Sequence, residues 1–127
     1  SCELKLGMYL FVVFMFSLAA GETEDLDAAL RQAAAVCAVV ACTRSGAPVW
    51  AIQNGVRVEA PVTAVTPVDA TGAGDQFAAG FLFGLATGRD LETAARMGVI
   101  AASEVIGHIG PRPQADVRAL FAAAGLL

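Results

Sequence analysis

The segment Val68-Asp69-Ala70-Thr71-Gly72-Ala73-Gly74-Asp75-Gln76-Phe77 constrains this chain more than any other. An extended run ends at Asp69, two glycines bracket one alanine, and a long apolar helix begins at once. Backbone amides at a helix start lack intrahelical partners, point outward and carry the positive end of the helix dipole. Glycines there let an anion approach the backbone closely. Gly72, Ala73 and Gly74 therefore form a candidate anion cradle, with Asp75 beside it in the first turn. A carboxylate next to an anion site repels the anion unless it has a task, and accepting the proton of an attacking hydroxyl is such a task. Cradle and carboxylate together describe phosphoryl transfer to an alcohol. The same residues also suit an ordinary capped turn, and the bare pattern leaves both readings open. A dinucleotide-binding fingerprint would need glycine where Phe77 stands, and a Walker A loop would need a lysine close by.

The flanking pattern is that of a layered α/β fold. Residues 23–35 predict a helix, with Thr23 as N-cap and acids in the first turn. Its apolar face is Leu26, Ala29, Leu30, Ala33 and Ala34. Residues 36–43 predict a buried strand, and PVWAIQ and VRVEAPV flank Asn54-Gly55, the dipeptide of a tight hairpin turn. Residues 62–68 continue extended. Helices follow at about 74–87, stopped by Gly88; from an Asp90 cap to about Gly107; and at about 114–124, ended by Gly125.

Composition excludes other classes. Of 127 residues, 57 % are hydrophobic and 16 % charged, too apolar for disorder. Net charge is −4, Lys5 is the one lysine, and the arginines are scattered, so no basic stripe suits nucleic acid. Cys2, Cys37 and Cys42 form neither a disulfide framework nor a zinc motif; Cys37 and Cys42 lie in an apolar run and read as core residues of a cytoplasmic protein. Residues 6–20 are almost uninterruptedly apolar. They are short for a membrane span and read as a weak signal segment, a buried strand or an artefact upstream of the domain. The domain proper is expected over 21–127, with 1–20 as a separate apolar segment.

The run DATGAGDQFAAGFLFGL resembles the D-T-x-G-A-G-D signature of the PfkB carbohydrate kinases, the family of ribokinase, fructokinases and adenosine kinase. Asp69, Thr71, Gly72, Ala73, Gly74 and Asp75 match; Ala70 stands where Thr is usual. The later GRDLETAARMGVIAASEVIGHIGPRP is similar to the family's C-terminal helix and nucleotide loop, and IGHIGPRP is most like the adenosine-kinase-like bacterial branch. The resemblance covers about residues 21–125. It implies the C-terminal portion of a ribokinase-like three-layer α/β/α fold with one β-hairpin. It implies Asp75 as the base that deprotonates the acceptor hydroxyl, and amides of Gly72, Ala73 and Gly74 as the anion hole. Thr43, Val99, Ala102 and His108 become candidate nucleotide neighbours. Asp69, Thr71 and Gly110 become a candidate monovalent-cation site. ATP, Mg²⁺ and K⁺ are the implied cofactors, and a sugar or nucleoside the implied partner, with no nucleic acid or membrane.

Departures from the family pattern are equally specific. Thr43-Arg44-Ser45-Gly46-Ala47-Pro48 differs from the glycine-spaced nucleotide loop. The N-x-x-E motif that helps place magnesium is absent, because Asn54 is the one asparagine. The N-terminal half that contacts the sugar is not in this chain. Outside the signature, His108 reads as a surface or capping residue, Arg44 as a solvated loop residue, Arg112 as a turn residue, and Trp50 as packing near the hairpin. Three expectations follow: a sugar or nucleoside kinase, an inactive fragment with a nucleotide half-site, or a secreted or membrane-anchored interaction domain led by residues 1–20. A truncated α/β layer is also expected to expose an apolar sheet edge or face, and with it either poor solubility or dimerisation through that surface.

Overall fold

The computed structural model describes residues 11–16, 23–35, 38–44, 47–62, 68–69 and 71–127. Four strands, β1 (Phe11–Phe16), β2 (Val39–Arg44), β3 (Ala47–Gln53) and β4 (Val56–Ala60), form one sheet in the order β1-β2-β3-β4. Helix α1 (Thr23–Ala34) connects β1 to β2. After β4 come α2 (Ala73–Ala86), α3 (Leu91–Ile106) and α4 (Val117–Ala123).

β1 runs parallel to β2, pairing Phe11 with Val39 through Phe16 with Arg44. A parallel pair needs a crossover, and α1 supplies it. The middle of the apolar 6–20 run is thus a sheet strand; residues 1–10 and 17–22 lie outside the described residues. β2/β3 and β3/β4 are antiparallel. The expected hairpin is present, with Asn54 at φ 54° and Gly55 at φ 78°, the left-handed values a tight turn requires. The sheet has a second antiparallel pair, β2/β3, beyond the single hairpin read from the sequence. Its register slips between Cys42 and Arg44.

Alternation along the strands makes three layers, because successive side chains face opposite ways. On one face Ala41, Val49, Ala51 and Ala60 pack against Phe77 and Phe81 of α2 and Leu91, Ala94, Ala95 and Val99 of α3. On the other, Val40, Cys42, Trp50 and Ile52 pack against Leu30 of α1. Cys42 is buried in the core, as expected, whereas Cys2 and Cys37 fall outside the described residues. Trp50 is buried on the α1 face, and the Arg57 guanidinium lies 4.1 Å over its ring while also bonding Asp27 of α1 at 2.9 Å. Among the described residues no helix is long and apolar enough to cross a membrane.

α2 and α3 lie almost backbone to backbone. A Cβ on Gly80 would come within 2.7 Å of Met97 O, one on Gly84 within 2.8 Å of Ala94 Cα, and one on Gly98 within 2.7 Å of the Phe77 ring. Phe77 and Phe81 stack with centroids 5.7 Å apart beneath this contact. Each fully buried ring contributes about 1.5–3 kcal/mol. Helix ends follow local chemistry. The Thr87 amide closes the last turn of α2 on Phe83 O, and Gly88 follows at φ 82°. Asp90 caps α3 by accepting from Thr93 N at 2.8 Å. α4 starts at Val117 with Asp116 as its cap, three residues later than the sequence suggests. The residues before it are held by tertiary contact, with the Gln114 and Ala115 amides donating to Glu104 of α3, and Asp116 then caps the helix by accepting from Ala119 N at 3.2 Å.

Candidate functional site

The turn before α2 is built around Asp69. Its Oδ1 accepts from Thr71 N at 2.9 Å and from the Thr71 hydroxyl at 2.6 Å, a side-chain turn typical of Asp two residues ahead of its donor. Its Oδ2 accepts from Gly110 N at 3.1 Å, across 41 residues of chain. The Thr71 hydroxyl and amide, then the Gly110 amide and the charge of His108, hold the Asp69 carboxyl below its ordinary value. The same turn is tied to the C-terminal end of α3, because the Val68 and Asp69 amides both donate to Ile106 O, at 2.7 and 3.2 Å.

Gly72 is the N-cap of α2, at φ 80° and ψ 2°. Only glycine adopts this freely, and here it is also hemmed in: a Cβ would stand 2.7 Å from Pro111 Cβ. The first helical hydrogen bond among the described residues runs from Gln76 N to Gly72 O at 2.9 Å, and no side chain caps the helix. The amides of Ala73, Gly74 and Asp75 thus open the helix with its dipole behind them. Asp75 is exposed beside them. Gln76 reaches back to Pro111 O at 3.4 Å, so the loop after α3 touches the turn at Asp69, Gly72 and Gln76.

That loop is folded by Glu104. Its Oε1 accepts from His108 Nε2 and Gln114 N at 2.9 Å and from Ala115 N at 3.2 Å. The side chain is only 9 % exposed. Burial pushes its carboxyl up, but the Gln114 and Ala115 amides and His108 outweigh burial, so it ends below its ordinary value. His108 Nδ1 lies 3.2 Å from Ile109 O, so both ring nitrogens face acceptors. The lone histidine is thereby a half-buried loop fastener with a definite partner.

The structure brings Asp69, Thr71, Gly72, Gly110 and the start of α2 together. Of the expected nucleotide neighbours, Val99 is buried in the core under the sheet, Ala102 packs at the edge of that core, and His108 is bound to Glu104. Thr43 is half-buried near the end of β2. Glu104, Gln76 and Pro111 were not singled out by sequence reasoning. The one signal for Glu104 was its i,i+4 spacing to His108 on a helix end. Among the described residues no three His, Cys, Asp or Glu side chains gather as a metal site.

The model of the pfkB family of carbohydrate kinases matches residues 12–118, which takes in β1, the turn and the loop after α3. The chain belongs to that family. Its fold is close to that of a probable sugar kinase from Rhizobium etli, with 34 % identity and a TM-score of 0.81 over 99 % of this chain and 40 % of that one. An adenosine kinase from Sinorhizobium meliloti superposes with a TM-score of 0.79 at 39 % identity, over 96 % of this chain and 39 % of that one. An adenosine kinase of Saccharomyces cerevisiae is 47 % identical over 51 residues, 40 % of this chain and 15 % of the yeast protein. This pfkB-family chain thus spans about 40 % of the solved relatives it matches.

Proposed function

We propose that the site is the phosphoryl-transfer half of an ATP-dependent kinase whose acceptor is a hydroxymethyl group of a sugar or nucleoside. The observation that carries this reading is the uncapped start of α2, where the amides of Ala73 and Gly74 follow a left-handed Gly72 and Asp75 stands exposed beside them. The amides of Gly72, Ala73 and Gly74 stabilise charge on the transferring group. Asp75 takes the proton of the acceptor hydroxyl as its oxygen bonds to the γ-phosphorus, and the bond from that phosphorus to the β–γ bridging oxygen breaks to release ADP. Positioning does most of the work in such reactions, so the rigid seating of the turn on α3 and its loop is part of the chemistry.

Asp69, kept anionic by Thr71 and Gly110, suits a hard cation, and it would hold K⁺ with backbone oxygen of Thr71 and of the Gly110 loop. A cation bound there supplies positive charge beside the cradle. Mg²⁺ fits as an ion carried on the ATP phosphates, since it keeps several waters and needs only one or two carboxylates. It supplies neutralisation of phosphate charge.

The 40 % coverage of the solved relatives favours a second reading for the 127 residues by themselves: they hold nucleotide phosphates without turning over. Calorimetry with MgATP and K⁺ tests both. Binding that survives Asp75→Asn and is lost in Gly74→Val supports the cradle. Turnover of adenosine or a ribose-like sugar that also disappears in Asp75→Asn supports the first reading over the second. Binding indifferent to Gly74→Val refutes both.

A further inference from the structure

We propose that Glu104 is a positioning residue of this site, holding the 107–116 loop so that Gly110 and Pro111 stay seated on the turn that carries the anion cradle. The inference rests on the phosphoryl-transfer reading above. Three donors from that loop converge on one carboxylate oxygen, at 2.9, 2.9 and 3.2 Å. The loop so gathered reaches the turn at three places: Gly110 N on Asp69 Oδ2, the Pro111 ring against Gly72, and Pro111 O on Gln76. Among the described residues, Glu104's hydrogen bonds go to His108, Gln114 and Ala115 and to none of these.

Its second oxygen points the same way. Glu104 Oε2 is buried and has no hydrogen-bond partner among the described residues. A buried, half-satisfied carboxylate is unfavourable for α3 as a helix, which an apolar side chain would serve better. The arrangement makes sense only through what the other oxygen does. Charge-assisted bonds to backbone amides are stronger and more directional than neutral ones, so one carboxylate can fix a loop that has no helix or strand of its own.

The experiment is amide hydrogen exchange by NMR on the 127-residue chain, comparing Glu104→Ala and Glu104→Gln with wild type. Asp90→Ala, at the far end of α3, controls for general destabilisation. Glutamine keeps an acceptor oxygen for all three donors, so it should leave exchange within about threefold of wild type, whereas alanine should not. Glu104→Ala is expected to speed exchange at Gln114 and Ala115, and also at Gly110 and Thr71, by about tenfold or more beyond the control. Faster exchange at Gln114 and Ala115 with Gly110 and Thr71 unchanged would overturn the proposal, because the loop would then be loosened without moving the turn. Failure of glutamine to rescue would overturn it as well. Should Glu104→Ala not fold, Glu104→Asp, which withdraws the same charge by one methylene, replaces it with the same expectations. MgATP titration of the same proteins separates this inference from the one beneath it. A wild type that binds no MgATP refutes the nucleotide reading of this chain, while the exchange pattern still decides what Glu104 does to the turn.

Discussion

Replacing Gly72 by alanine tests whether the turn is held by its own backbone or by the loop pressed against it. Two costs are expected. An L-residue in the left-handed region costs about 1–2 kcal/mol, offset by about 0.4–1 kcal/mol from restricting the unfolded chain, which leaves about 1 kcal/mol. The second is steric. The new Cβ would lie 2.7 Å from Pro111 Cβ and 3.1 Å from Pro111 Cα, both rigid atoms. Carbons rest at about 3.5–4.0 Å, so the loop must give by about 1 Å, and overpacking of this kind costs about 1–3 kcal/mol. Gly88 isolates the first cost, for it has φ 82° and nothing within 4 Å of a Cβ. Urea unfolding followed by Trp50, the single tryptophan and a buried one, reads both variants. Gly88→Ala should lose about 1 kcal/mol and Gly72→Ala about 2–4 kcal/mol. Pro111→Gly, which removes the nearest atom, should recover part of the difference in a double-mutant cycle. Equal losses in Gly72→Ala and Gly88→Ala would refute the idea that the loop is seated on the turn at Gly72.

Gly98→Ala should destabilise by about 1–3 kcal/mol, because its Cβ would meet the buried Phe77 ring at 2.7 Å and Phe77 O at 2.9 Å; thermal unfolding reads it directly. Asp69, Asp90 and Glu104 are all held below their ordinary values of 3.8, 3.8 and 4.5, Asp90 chiefly by the Thr93 side chain and amide. The folded chain therefore binds fewer protons than the unfolded one as acid is added. The stability they contribute is present in full above about pH 5 and is lost as the pH falls through their lowered values. Urea midpoints between pH 7 and pH 3 should fall accordingly. Asp90→Asn should keep the α3 cap while shrinking that fall, and Asp90→Ala should lose about 1 kcal/mol at neutral pH.

What could be read in the sequence was local. Asn54-Gly55, Asp90 and Gly125 each act on the backbone within a few residues, and each does in the structure what its type suggests. The first and last helices show the limit. α1 spans Thr23–Ala34, the stretch its pattern suggests, whereas α4 begins only at Val117, after residues whose Gln114 and Ala115 amides turn to Glu104 on α3. The parallel pairing of β1 with β2 was likewise invisible, since nothing in FVVFMF says which neighbour it joins. At the site, Gly72 to Asp75 stood out because a helix start and its glycines are contiguous. The bond from Gly110 to Asp69 spans 41 residues and came into view in the sequence only through likeness to known kinases. Glu104 was missed because two of its three partners are backbone amides, which every sequence contains.

The glycine contact between α2 and α3 has a mechanical consequence. With Gly80 against the backbone of Met97 and Gly98, and Gly84 against Ala94, the two helices are geared like toothed bars. Advancing α2 by one residue, about 1.5 Å, would drive a side chain into the space that only a hydrogen can occupy. Sliding is therefore locked, and the turn at the head of α2 travels with α3 as one block. Any rearrangement of that turn must then be a pivot of the block on the sheet or a shift in the 107–116 loop.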